Sequence, residues 1–208
     1  MPDPRTIRKA VSYLKKADPT MARLIAEVGP CRYEVKNFGT HFDALCRSII
    51  YQQLSTKAAG TIHGRFLDLF QGRHPTPEAL LAIPEETLRG VGLSRQKLNY
   101  LRDLASRVHT DALPLDHLDE LPDQEIIDYL VQVKGIGVWT AQMFLMFRLG
   151  RMDVLPVLDL GIRNAIKKAY RVRGAPSAKR VHKIGAPWRP YASVACWYLW
   201  RSLDGPAA

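Results

Sequence analysis

Apolar residues in this chain recur at three- and four-residue intervals almost from end to end, and alternating apolar–polar runs are nearly absent. A chain patterned this way buries its apolar surface by packing helix on helix. Ile7, Val11 and Leu14 mark a helix over 4–16. Asp18-Pro19, a cap followed by a first-turn proline, opens a second helix through Met21, Leu24, Ile25 and Val28, and Gly29-Pro30 stops it. Residues 31–38 read as extended or irregular. Helical spacing resumes over 42–51 and 57–70, interrupted by the polar QQLS at 52–55. Thr76-Pro77 and Pro84 open two short helices, SRQKLNYLRDLASRV (94–108) is amphipathic with Ser94 as its cap, and a proline-rich loop covers 111–122. Further helices are expected over 123–133, 138–148, 160–170, 177–184 and 190–203. The expected fold class is all-α, with about ten helices in one domain over 1–208, or two small lobes sharing a boundary. At 47% apolar, the chain can build such a core.

Several function classes are excluded early. No run of about eighteen uncharged apolar residues is present, so no membrane span is expected. The first residues, MPDPRTIRKAVSYLKKADP, are charged throughout and lack an apolar signal core. A soluble protein of the cytoplasm, or of the nucleus in a eukaryote, is expected. Cys31, Cys46 and Cys196 form no CxxC, and the histidines form no HxxxH pair. A disulfide framework, a zinc site and a four-cysteine iron–sulfur cluster are therefore not expected, and no cofactor is required.

The net charge of +10 is concentrated in one tract. No acidic residue lies between Asp159 and Asp204, whereas that span holds ten lysines and arginines, Arg163, Lys167 and Lys168 among them. The rest of the chain is balanced. A tract of one sign this long either solvates a surface or meets a polyanion such as nucleic acid.

Residues 133–141, VKGIGVWTA, place a Gly-Ile-Gly corner between two helices. Glycine permits positive φ and close backbone approach, and the first amides of the following helix lie at its positive dipole end. Such a corner can receive a phosphate oxygen while Ile136 pins the helices together. It can equally be a plain turn, and no strand precedes it as a dinucleotide loop would need. Gly90-Val91-Gly92 is an echo of the same pattern.

Helix, VKGIGVWTA and helix (about 123–148) together resemble the helix-hairpin-helix motif of the base-excision DNA glycosylase superfamily. DVLPVLDLGIRNA (153–165) supplies Asp159 twenty positions after Trp139, where that superfamily has its essential aspartate. SIIYQQLSTKAA (48–59), GLSRQK (92–97) and WRPYASVACWYLW (188–200) are similar to the alkylpurine branch, the 3-methyladenine glycosylases, over roughly residues 5–203. The resemblance implies two helical lobes around a cleft, without the N-terminal β-rich domain of the larger members. It implies a monomer acting on double-stranded DNA that contains alkylated bases.

It also assigns roles. Asp159 would be the catalytic carboxylate, stabilising positive charge at C1′ or positioning water; an ordinary helix cap is the alternative. Gln53, with Leu54 as second choice, would be the wedge entering the duplex, beside Ser55. Lys134, Gly135, Gly137, Thr140 and Arg163 would contact DNA. Trp139 and Trp200 would line the base pocket, although some tryptophans of the last segment must be core. Met143 and Leu160 stand where larger relatives often have tyrosine, and Ala192 where they have arginine. Trp139 occupies the place of the lysine nucleophile of bifunctional relatives, which implies a monofunctional hydrolase that leaves an abasic site. Backbone carbonyls near Val133, Gly135 and Val138 would hold a Na+ or K+ ion. Two other readings stay open: a damage-binding protein without catalysis, and a glycosylase for other damaged bases.

Overall fold

The computed structural model describes residues 3–35 and 39–204. Among them run α1 (Pro4–Ala17), α2 (Pro19–Val28), α3 (His41–Tyr51), α4 (Thr56–Asp68), α5 (Pro77–Ala82), α6 (Glu85–Gly90), α7 (Arg95–His109), α8 (Asp123–Leu130), α9 (Val138–Phe147), α10 (Leu160–Ala169), α11 (Ala178–Gly185) and α12 (Ala192–Arg201). Two short 3-10 helices, Leu115–Glu120 and Ala186–Trp188, complete the set, and no strand occurs among the described residues. Among the described residues no helix is long and apolar enough to cross a membrane.

The helix starts follow from local chemistry. Asp3, Asp18, Thr40, Ser55, Thr76, Ser94, Asp159 and Ser177 each cap a helix by accepting a first-turn amide on the side chain. The expected 111–122 loop contains the first 3-10 helix, because Leu115 and Leu118, three residues apart, both bury while Asp116, Asp119 and Glu120 stay exposed. The helix expected over 123–133 stops at Leu130, since Val131 already leads into the glycine corner. The last helix starts at Ala192 rather than 190, preceded by the second 3-10 turn. Residues 31–35 are irregular as expected, and 36–38 lie outside the described residues.

The chain divides into two compact units. The first takes residues up to 36 and from 145 onward. Its α1, α2, α10 and α12 pack on one another around Leu14, Met21, Ile162, Ile166, Trp188 and Tyr198. At its centre Asp18 is buried and fully employed. Its Oδ1 accepts the Thr20 and Met21 amides at 2.8 and 3.2 Å, capping α2. Its Oδ2 accepts the Tyr170 hydroxyl at 2.6 Å and the Trp188 indole N–H at 2.9 Å. Burial and the adjacent carboxylate push the Tyr170 phenol far up, so it stays a donor. The second unit, residues 37–144, is centred on α7, which packs against α3, α5 and α6 through Leu98, Leu101 and Leu104.

Cys46 of the second unit and Cys196 of the first are fully buried, and burial pushes both thiols well up; Asp43 adds to the effect on Cys46 and Asp159 to that on Cys196. Cys31 is partly exposed and is also raised by burial.

Asp18→Ala removes one cap and strands two buried donors, so a loss of roughly 3–5 kcal/mol is expected in denaturant melts. Asp18→Asn keeps the cap but can turn an NH2 toward the indole N–H, and a smaller loss of about 1–3 kcal/mol is expected.

Candidate active site

The glycine corner lies wholly in the second unit. Val133 and Ile136 are buried, and the Ile136 amide donates to the Val133 carbonyl at 3.0 Å. Gly135 has φ of +82°, and a Cβ there would lie 2.1 Å from the Tyr100 ring. Both facts demand glycine. Gly137 is different: its φ is ordinary, and a Cβ would meet nothing within 4 Å. Gly137 and Val138 are exposed residues where α9 begins, at the positive end of the helix dipole. The echo at 90–92 reverses the order, with positive φ at the second glycine, Gly92, packed against Ile62.

Asp103 of α7 fixes the approach to the corner. It accepts the Lys134 amide at 2.9 Å and the Arg107 Nε at 3.0 Å, and the Lys134 ammonium lies 3.8 Å from its other oxygen. Lys134 is thus exposed but attached to an acid.

Beside the corner is a cavity of about 640 Å³. Trp139, Thr140 and Met143 of α9 line it with Gln53, Tyr51 and Gly135. Five residues singled out from the sequence therefore meet around one space. Trp139 is 49% exposed, so it is not a core tryptophan. Arg47 lies over the Tyr51 ring, 3.9 Å from its centroid, in the same wall. Gln53 is exposed and has φ of +56°, uncommon for a residue with a side chain. Leu54 is 40% exposed next to it. Ser55 is exposed as well, and its Oγ accepts the Ala58 amide and caps α4.

Asp159 lies in the first unit. It is 9% exposed and caps α10: Oδ1 accepts the Ile162 amide at 2.7 Å. The same oxygen accepts the Trp200 indole N–H at 2.9 Å. Trp200 thus orients the carboxylate, while its ring packs against Phe147 at 6.0 Å. Leu158 and Leu160, on either side of Asp159, are 69% and 70% exposed. Arg163, one turn along α10, spends its Nε on the Pro176 carbonyl at 2.8 Å. Asp153, the other nearby acid, pairs with Arg189 at 2.7 Å. A buried carboxylate aimed by two donors, flanked by exposed apolar side chains, suits contact with an uncharged or cationic ring system.

The family model described as HhH-GPD superfamily base excision DNA repair protein matches residues 46–190, which include the corner, the cavity wall and Asp159. The chain belongs to this superfamily. It is 34% identical over 202 residues to DNA-3-methyladenine glycosylase 1 of Schizosaccharomyces pombe, covering 95% of this chain and 88% of that protein. A solved structure of the S. pombe 3-methyladenine DNA glycosylase Mag1 in complex with abasic DNA superposes with a TM-score of 0.81 at 33% identity, covering 96% of this chain and 99% of that one. A DNA-3-methyladenine glycosidase structure from Bacillus halodurans gives a TM-score of 0.84 at 36% identity, covering 94% and 89%.

One residue of this HhH-GPD protein drew no attention in the sequence. A Cβ on Gly161 would sit 2.9 Å from Trp200 Cδ1, 3.0 Å from its Nε1 and 3.1 Å from Asp159 Oδ1. A glycine in the first turn of a helix, where alanine would serve helix formation better, was the available signal. Gly161→Ala gains up to about 1 kcal/mol of helix propensity but overpacks the indole, at a cost of about 1–3 kcal/mol. A net loss of stability is expected, with the Trp200–Asp159 hydrogen bond broken in the variant's crystal structure. Gly137→Ala, with open space around it, is expected to melt like the unaltered protein.

Proposed function

We propose that this protein is a monofunctional DNA glycosylase that hydrolyses the N-glycosidic bond of alkylated purines of the 3-methyladenine and 7-methylguanine type in duplex DNA, leaving an abasic site. The observation that carries the reading is Asp159: a buried carboxylate twenty residues past the hairpin tryptophan, oriented by a helix amide and an indole.

The target base is stacked in the duplex, so its nucleotide must first be rotated out, at a cost of a few kcal/mol. The exposed tip at Gln53 and Leu54 fills the gap. First-turn amides at the Gly137 end of α9 take a backbone phosphate, where the helix dipole favours an anion. The electron-rich face of Trp139 stacks on the everted base, and cation–π attraction of about 0.5–2 kcal/mol favours a purine that alkylation has made cationic. As the bond to the base breaks, C1′ acquires oxocarbenium character, which the Asp159 carboxylate stabilises as acids do in sugar hydrolysis. Water completes the reaction. An N3- or N7-alkylated purine departs neutral, so no second acid is needed to protonate it. The place of the Schiff-base lysine holds Trp139, and Lys134 is attached to Asp103, which supports hydrolysis without strand cleavage.

A hairpin cation belongs to the same proposal. The Val133 and Gly135 carbonyls each accept one hydrogen bond, from the Ile136 amide and Gln52 Nε2, and each keeps a second lone pair that Na+ or K+ could use. With Val138 they would hold the ion near the phosphate. The protein would work as a monomer in the compartment that holds DNA, the cytoplasm or, in a eukaryote, the nucleus.

Asp159→Asn tests the reading cleanly, because asparagine is also a good cap and its oxygen can still accept both N–H groups. Release of 3-methyladenine and 7-methylguanine from alkylated DNA is expected to fall by more than about 100-fold, with folding and DNA affinity little changed. Full activity in this variant overturns the role, and binding without base release by the unaltered protein would favour a non-catalytic damage binder. DNA affinity should fall roughly 100-fold between 50 and 200 mM salt if about four phosphates are neutralised. A flat salt response would remove the basic tract from the interface.

A further inference from the structure

The loop carrying Gln53 is held from two sides within the second unit. On one side, α3 ends at Tyr51 and presents its last carbonyls at the negative end of its dipole. Lys97 of α7 fills that end: its Nζ donates to the Ile50 and Gln52 carbonyls, both at 2.7 Å. On the other side, the Gln52 side chain reaches the phosphate-binding corner, and its Nε2 donates to the Gly135 carbonyl at 2.7 Å. Gly135 in turn rests on the ring of Tyr100, whose hydroxyl accepts Gln96 Nε2 at 2.6 Å. Residues 96, 97 and 100 of one helix therefore fix both the loop and the corner. Between these anchors Gln53 keeps a left-handed backbone, a conformation that persists for a non-glycine residue only where its surroundings over-determine it.

A lysine that merely satisfied a helix end would leave the corner untouched. Here the residue whose carbonyl Lys97 holds is the residue whose amide holds Gly135. We infer that Lys97 and Gln52 are positioning residues for base eversion: they keep the Gln53–Leu54 tip in register with the Gly135 turn, so that filling the duplex and gripping the phosphate occur as one event. The inference rests on the glycosylase reading above and adds to it the residues that couple its two DNA contacts.

The test separates eversion from bond breaking. Single-turnover release of 7-methylguanine is measured from a duplex in which the lesion is paired with cytosine, and from the same sequence with the lesion in a mismatched bubble, where eversion is cheap. Lys97→Met keeps the aliphatic stem and removes both donors. It is expected to slow release from the paired duplex on the order of 10–100-fold and from the bubble by less than about threefold. Gln52→Met, which removes the amide donor at similar length without adding charge, should show the same asymmetry at smaller size, and it stands in if Lys97→Met does not fold. Equal losses on the two substrates, or no loss on either, overturn the inference. If the unaltered protein releases no base from either substrate, the glycosylase reading itself fails and takes the inference with it.

Discussion

A single oxygen, Oδ1 of Asp159, accepts hydrogen bonds from the backbone of α10 and from the indole of Trp200. Much of the first unit is arranged so that this can happen. A carboxylate this buried is costly unless donors converge on it, and two N–H groups do. Close approach of the indole needs a residue without Cβ at 161. The far end of α10 is secured as well: Tyr170, just past its last turn, donates to Asp18, and Arg23 donates to the Ala169 carbonyl at 3.0 Å. Two buried aspartates thus hold one helix at its two ends. The aspartate at the N-terminal end sits between exposed leucines, and the one at the other end is enclosed in core.

The second unit solves a different problem. The Gln53–Leu54 tip is exposed, and exposed loops are usually mobile. Here an ammonium on α3's terminal carbonyls and an amide on the Gly135 carbonyl give a short polar loop the definition that its own sequence lacks. Burial lowers the proton affinity of Lys97, so its placement has a cost, which two short hydrogen bonds to carbonyls offset. Trp139, Met143 and Tyr51 give the cavity aromatic and apolar faces among polar neighbours such as Gln53, Ser94 and Lys97.

Helix positions were legible because caps and apolar spacing are local signals: Asp18, Ser94 and Pro77 each mark a start within a residue or so. The capping position of Asp159 was legible from the helix that follows it. What stayed hidden depends on distant partners. Trp200 reaches Asp159 across 41 residues, and Gln52 reaches Gly135 across 83, and no periodicity encodes either pairing. For the same reason the Trp200 N–H that aims the carboxylate could not be read from its place in an aromatic segment. Ser55 and Arg163 also have structural work that spacing does not announce: one caps α4 and the other ties α10 to Pro176. The 3-10 helix at Leu115–Glu120 escaped notice because six residues with apolar side chains three apart carry too little pattern.

The fate of the cysteines matters in a cell under chemical attack. Methylating agents attack thiolates as well as purine nitrogens, and a thiolate forms only where the thiol can lose its proton. Cys46 and Cys196 are sealed from solvent with their ionisation suppressed, and Cys31 is shifted the same way. Those two buried thiols are therefore withheld from electrophiles that would otherwise consume them.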